Sequence, residues 1–187
     1  EHGISTLTVY AFSSDNWRRP APEVSALMGL FQHFLRNEIR RMVAAGVRLT
    51  AIGRRDRLPA GLTPLLEHAE VASKSGSALH LRLAIDYSGR DAILRAIADA
   101  PWPPTRQHLS QRLSSDVDLV IRTSGEQRLS DFLVWEAAYA ELYFTDRLWP
   151  DFDADDLAEA MHAFHRRNRR FGSLPTTTAN LESLAVC

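Results

Sequence analysis

Ile4-Ser5-Thr6-Leu7-Thr8-Val9-Tyr10-Ala11-Phe12-Ser13-Ser14-Asp15-Asn16-Trp17-Arg18-Arg19-Pro20 joins an apolar, β-branched run to a polar loop, and a periodic helix follows. Ile4 to Tyr10 has the composition of a strand. The loop after it gathers hydroxyls, an acid, an amide and two arginines. In open α/β sheets, ligands bind in the crevice outside the carboxyl ends of the strands. This residue mix suits an anionic, oxygen-rich group with an apolar neighbour, such as a phosphate carrying a greasy tail. The same residues also suit a helix cap with solvated arginines. A second stretch repeats the arrangement. Asp118-Leu119-Val120-Ile121 is a short apolar strand that runs into Arg122-Thr123-Ser124-Gly125-Glu126-Gln127-Arg128-Leu129-Ser130. Two arginines so spaced suit a diphosphate, because the planar guanidinium fork matches phosphate oxygens. Gly125 permits a tight turn, and Ser130 either caps a helix or binds a ligand oxygen.

Working outward, strands alternate with helices. Pro22 suits a first helical turn, and Val24, Leu27, Leu30, Phe31, Phe34, Ile39, Met42 and Val43 mark a helix over 22–43 closed by Gly46. Further strands are expected over 47–52, 79–85, from 118 and over 142–144. Further helices are expected over 62–73, from 91, over 107–114, over 130–139 and over 153–170. Strands separated by helices argue for a mostly parallel sheet with right-handed crossovers and helices on its faces. The fold class is therefore a single α/β domain whose polar loops gather along one sheet edge.

Composition agrees with that reading. The chain has 187 residues, 45% hydrophobic and 24% charged, with a formal net charge of −1. Such a balance gives no general case for nucleic-acid binding. The basic run His165-Arg166-Arg167-Asn168-Arg169-Arg170 is better explained as a solvated helix end that favours the dipole. One cysteine, Cys187, excludes an internal disulfide. No apolar run reaches ~18 residues, so no membrane-spanning helix is expected. The seven histidines form no ligand constellation.

Three motifs together carry a resemblance. Phe12 to Pro20, Ile121 to Ser130 and Tyr139-Ala140-Glu141-Leu142-Tyr143-Phe144 resemble the signature regions of cis-prenyltransferases, with bacterial undecaprenyl diphosphate synthases the nearest type. Leu148-Trp149-Pro150-Asp151-Phe152 and Arg169-Arg170-Phe171-Gly172 fit as well. The resemblance covers residues 1 to about 172 as one domain, and the Ser/Thr-rich end over 173–187 is expected to be a flexible tail. The resemblance also implies an apolar tunnel beside the sheet, which Phe31, Phe34 and Leu35 would line. The family's first strand and its Met-Asp-Gly-Asn-Gly-Arg-Trp loop, whose Asp is central to catalysis, have no counterpart here. The expectation is an N-terminally incomplete chain, with a naturally short, inactive relative as the alternative.

The implied activity joins isopentenyl diphosphate to an allylic diphosphate, such as farnesyl diphosphate, with Mg²⁺ as Lewis acid. The product would be a long polyprenyl diphosphate for cell-envelope carrier lipid. The resemblance assigns Ser13, Asp15 and Asn16 to the reacting end or the proton, and Phe12 and Trp17 to the apolar wall. Arg19 goes to a diphosphate, and Arg122, Arg128 and Ser130 to the isopentenyl diphosphate. Glu141 is assigned to the metal or to positioning Arg128, with a structural ion pair as the alternative. Gln127 stands where some relatives carry a histidine, Asp15 where glutamate is commoner, and Asp131 and Glu136 where amides are frequent. The family implies a homodimer in the cytoplasm, with peripheral membrane contact for product release and no nucleic acid. A noncatalytic partner subunit of the same fold, a short-chain synthase and an unrelated phosphate-binding α/β module remain as other readings.

Overall fold

A computed structural model describes residues 3–167 and 183–186. Six strands form one sheet in the order β2-β3-β1-β6-β4-β5. They are β1 (Thr6–Ser13), β2 (Val47–Ile52), β3 (Leu79–Tyr87), β4 (Leu119–Arg122), β5 (Glu141–Phe144) and β6 (Ser183–Val186). Every pairing is parallel. The sheet takes the expected class, with helices packed on both faces.

The period of each strand decides which face its side chains join. On one half of the first face, Leu83 and Ile85 of β3 and Leu49 of β2 meet the helices α1 (Ala21–Ala44) and α2 (Thr63–Ala72). Val24, Met28, Leu35 and Ile39 are the buried stripe of α1, at helical spacing. On the other half, Leu119, Ile121, Leu184 and Val186 pack against Met161 and Phe164 of α5 (Ala154–His165). The opposite face carries α3 (Gly89–Ala98), α4 (Arg106–Arg112) and the segment 129–140, with Ala84, Tyr87, Val120, Phe132 and Leu133 in its core.

Three expectations are corrected. Residues 130–139 form turns, not a helix. Ser130, Asp131 and Leu133 have φ of 49°, 65° and 45°, and such left-handed residues cannot continue a right-handed helix. Part of the segment expected as a tail is structural, because residues 183–186 form the central strand β6. Leu184 pairs with Leu7 on one side and Leu119 on the other. The last helix ends at His165 rather than 170; Arg169-Arg170-Phe171-Gly172 and the rest of 173–187 lie outside the described residues. Of the expected tunnel residues, Leu35 is buried in the α1 core and Phe31 packs against it, whereas Phe34 faces outward. Among the described residues, no helix is long and apolar enough to cross a membrane.

Candidate active site

Strand order brings the two polar loops together. From β1 the chain fills one half of the sheet with β2 and β3, then crosses to build β4 and β5. The carboxyl ends of β1 and β4 therefore flank the point where the winding reverses, which is where open α/β sheets bind ligands. A cleft of about 490 Å³ opens there, lined by Tyr10, Ser13, Asp15, Asn16, Arg19, Arg122 and Ser130. Six of the ten residues singled out in the sequence meet in it.

On the β1 side, Ser14–Arg18 makes a 3₁₀ turn. The Ser13 amide donates to Asn16 Oδ1 at 2.8 Å, so the Asn16 side chain stabilises the turn and leaves its NH₂ for a ligand. Asp15 and Arg18 pair at 3.4 Å on the exposed rim. Arg19 donates to Glu23 at 2.6 Å across the first turn of α1, which holds its guanidinium at the mouth. On the β4 side, the Ser124 amide donates to Arg147 O at 2.7 Å and the Gly125 amide to Thr145 O at 2.9 Å. A Cβ on Gly125, at φ +70°, would stand 3.1 Å from Asp146 Oδ1. The loop is thus tied down beside the strand end rather than free.

Arg122 is the most telling residue of the cleft. Its Nε is buried and, among the described residues, has no hydrogen-bond partner. Arg122 and Tyr10 also line a second, adjoining hollow of about 240 Å³ with Thr123, Ser124 and Trp149. Arg122 thus lines both hollows and carries a desolvated donor that no described residue satisfies, the kind of group a bound anion satisfies. The backbone is strained nearby. The five described non-glycine residues with positive φ are Asp86, Ser124, Ser130, Asp131 and Leu133, all at or after the carboxyl ends of β3 and β4. Such strain collects at functional sites.

The other expected residues are placed differently. Phe12 is 1% exposed and belongs to the core, not to a wall that a ligand touches. Trp17 is half-buried, edge-on to Phe12 with centroids 5.2 Å apart. Its Nε1 has no partner among the described residues. Arg128 is exposed and paired with Glu126, outside the cleft lining. Glu141 opens β5 opposite Leu119, whereas Arg122 lies opposite Phe144, so Glu141 sits at the amino end of the sheet. Its carboxylate accepts from Arg167 at 2.7 Å. Glu141 therefore forms an ion pair with Arg167, one of the roles its motif left open, and lies outside the cleft lining. Among the described residues Asp15 is the one carboxylate lining the cleft. Among the described residues, no group of three or more His, Cys, Asp or Glu side chains is placed to hold a metal ion.

Sequence reasoning missed three supports. The Tyr10 hydroxyl donates to Tyr87 O at 3.2 Å and reaches Ser130 O at 3.4 Å, linking β1, β3 and the segment after β4. Tyr10 also stacks on Phe132 at 4.5 Å. Asp131 accepts from Ser88 Oγ at 2.6 Å and from the Arg90 amide at 3.1 Å, which fixes the 130–134 turns to the start of α3. Arg57 grips buried Asp86 with two nitrogens and lies 5.7 Å from the Trp17 ring centroid. Its reach across the sequence left no local signal.

The comparisons with known proteins agree with this geometry. A family model described as "Putative undecaprenyl diphosphate synthase" matches residues 1–172. Isoprenyl transferase 1 of Bradyrhizobium diazoefficiens is 60% identical over 181 residues, covering 93% of this chain and 74% of that protein. Isoprenyl transferase of Aquifex aeolicus is 47% identical, covering 92% and 78%. Lavandulyl diphosphate synthase from Lavandula x intermedia, solved with dimethylallyl diphosphate, superposes with a TM-score of 0.86 at 33% identity, over 91% of this chain and 80% of that one. A probable undecaprenyl diphosphate synthase from Campylobacter jejuni gives 0.85 at 34% identity, over 90% and 84%. With ordered motifs, a parallel sheet and a cationic cleft at its switch point all in agreement, the chain belongs to the undecaprenyl diphosphate synthase family of prenyltransferases.

Proposed function

We propose that this protein elongates a prenyl chain in the cis sense, condensing isopentenyl diphosphate with an allylic diphosphate, farnesyl diphosphate first among them. The product is a long polyprenyl diphosphate of the undecaprenyl class, a carrier lipid for the cell envelope. The observation that carries the proposal is Arg122, whose buried, unpartnered Nε borders a cleft that also holds Arg19, Ser13 and Ser130.

In this reaction the allylic C–O bond breaks and diphosphate leaves with the electron pair. The isopentenyl double bond attacks the allylic carbon, and a proton then leaves the new unit to give the cis alkene. Arg122 and Ser130 hold the isopentenyl diphosphate, and Arg128 approaches it from the rim once released from Glu126. Arg19 stabilises charge on the departing diphosphate. Fixed donors aimed at developing charge are an effective form of catalysis. Ser13, Asp15 and the Asn16 amide orient the reacting end or handle the proton. The Mg²⁺ expected for such chemistry meets a single carboxylate here. Among the described residues Asp15 is the carboxylate that would hold it, where it would supply Lewis-acid stabilisation of the diphosphates, and no step is routed through it. The exposed Tyr139, Phe144, Leu148 and Trp149 support extending the proposal to a homodimer, with peripheral membrane contact at product release.

A short-chain product is the second reading. It is favoured by Met28 and Leu35, each 3% exposed in the α1 core where a lengthening chain would run, and by the likeness to lavandulyl diphosphate synthase. Incorporation of labelled isopentenyl diphosphate with farnesyl or dimethylallyl diphosphate, resolved by product length, tests both. A ladder ending at a fixed long product is expected. A single short product overturns the elongase in favour of the second reading, and no incorporation by the full native protein with either starter overturns both.

A further inference from the structure

Ten ion pairs tie down arginines across the described surface, yet Arg82, Arg95 and Arg112 take part in none of them. All three line one cavity of about 370 Å³ between the outer strands, α3 and α4, apart from the candidate active site. Arg95 and Arg112 are exposed at its rim, whereas Arg82 is buried on β3. Arg82 donates through Nη1 to Ser114 Oγ at 2.9 Å, and that hydroxyl donates to Glu136 Oε1 at 3.1 Å. Tyr87 also lines the cavity. It is 3% exposed, and its hydroxyl is buried with no hydrogen-bond partner among the described residues. A buried hydroxyl without a partner is costly unless something in the cavity satisfies it.

We infer that this cavity is a second anion site, which takes a phosphate-type oxyanion on the three guanidinium groups and the Tyr87 hydroxyl. Three cations against the two carboxylates of the lining, Glu136 and Asp99, leave the cavity net positive. The Glu136 carboxylate is already engaged by Ser114, and burial biases it toward the neutral form. Guanidinium forks match phosphate oxygens in both charge and shape. About 370 Å³ holds a small anion with its residual water, at roughly 30 Å³ per water. Bound anion would also reach the active site through one residue, because the backbone carbonyl of Tyr87 accepts from Tyr10 of the catalytic cleft. None of this rests on the reaction proposed above.

Calorimetric titration with sodium phosphate, and separately with sodium diphosphate, at constant ionic strength tests the site. Four proteins are compared: the native chain, Arg95→Gln/Arg112→Gln at the exposed rim, Tyr87→Phe, and Arg19→Gln/Arg122→Gln in the active cleft. The expected result is saturable binding of at least one anion that survives in Arg19→Gln/Arg122→Gln. That binding weakens tenfold or more in the rim variant and about tenfold in Tyr87→Phe, the scale of one hydrogen bond to a charged group. Tyr87→Phe removes a hydroxyl that has no hydrogen-bond partner among the described residues, so folding is not its confounder. The two titrations distinguish a single-phosphoryl site from a diphosphate one, and either supports the inference. It is overturned if all anion binding disappears with Arg19 and Arg122, or if the binding that survives their loss ignores the rim and Tyr87 substitutions.

Discussion

Arg122 ends β4 with a guanidinium nitrogen removed from water and not repaid by any described protein acceptor, whereas Arg128, six residues on, is exposed and shares its charge with Glu126. The two arginines look alike in sequence and differ in what their loss removes. Arg122→Ala is expected to lower kcat/KM for isopentenyl diphosphate about 10- to 100-fold, from ~1.5–3 kcal/mol for a hydrogen bond to a charged group. Arg128→Ala is expected to raise KM with little change in kcat. Steady-state kinetics with labelled substrate checks both, and equal profiles for the two variants would remove the distinction. Glu136 gives a pH signature. Burial holds its pKa above the usual 4.5, so the folded protein binds its proton more readily than the unfolded chain. Its contribution therefore lowers stability as pH rises from 4.5 through the folded pKa. Glu136→Gln keeps an acceptor for Ser114, and its stability relative to the native chain should grow between pH 4.5 and 7.5 in urea titrations. A difference independent of pH would contradict this sign.

At the scale of elements, the legible parts were those whose signal is local. The α1 stripe, the β-branched strands and the two polar loops were read from periodicity and composition, and each stands within a residue or three of its expected bounds. The 130–139 segment reads as a helix in sequence, with Leu129, Phe132, Leu133 and Ala137 at helical spacing. Phe132 and Leu133 are indeed fully buried, but they are held there by turns. What decides the turns is non-local: Asp131 binds Ser88 and Arg90, 43 and 41 residues away. Tertiary bonds of this kind override periodicity. Gly89 tests the contact, since a Cβ on it would lie 2.7 Å from Asp131 O and 2.9 Å from Val134 Cγ2. Gly89→Ala should push the 131–134 turns outward and displace Ser130 from the cleft. The expected outcome is a stability loss of about 1–3 kcal/mol together with a kcat/KM loss. Native activity in a folded Gly89→Ala protein would show that Ser130 is not needed where it stands.

For the whole molecule, sequence order and spatial order part company at β6. Nothing in Ser183-Leu184-Ala185-Val186 distinguishes a serine and three apolar residues at the centre of a sheet from the same four in a tail, because a strand's place is set by its partners. Leu184 is 1% exposed between Leu7 and Leu119 and packs in the α5 core. Leu184→Ala is expected to cost about 2–5 kcal/mol, read as a fall in the urea midpoint at constant m. A loss below 1 kcal/mol would mean that the strand is dispensable.

That position also sets a timetable. Translation produces β1, β2 and β3 as a contiguous three-stranded unit, and β4 with β5 as a second. The described pairing links the two units only through β6. Of the described strands, those made before β6 therefore form two half-sheets, each with an open edge prone to wrong pairing. Slow closure by distant strands favours such exposure. Nascent chains stalled before Ser183 should stay protease-sensitive around β4 and β5, and become resistant once residues 183–186 clear the exit tunnel. Equal resistance on either side of that point would place closure of the sheet earlier in synthesis.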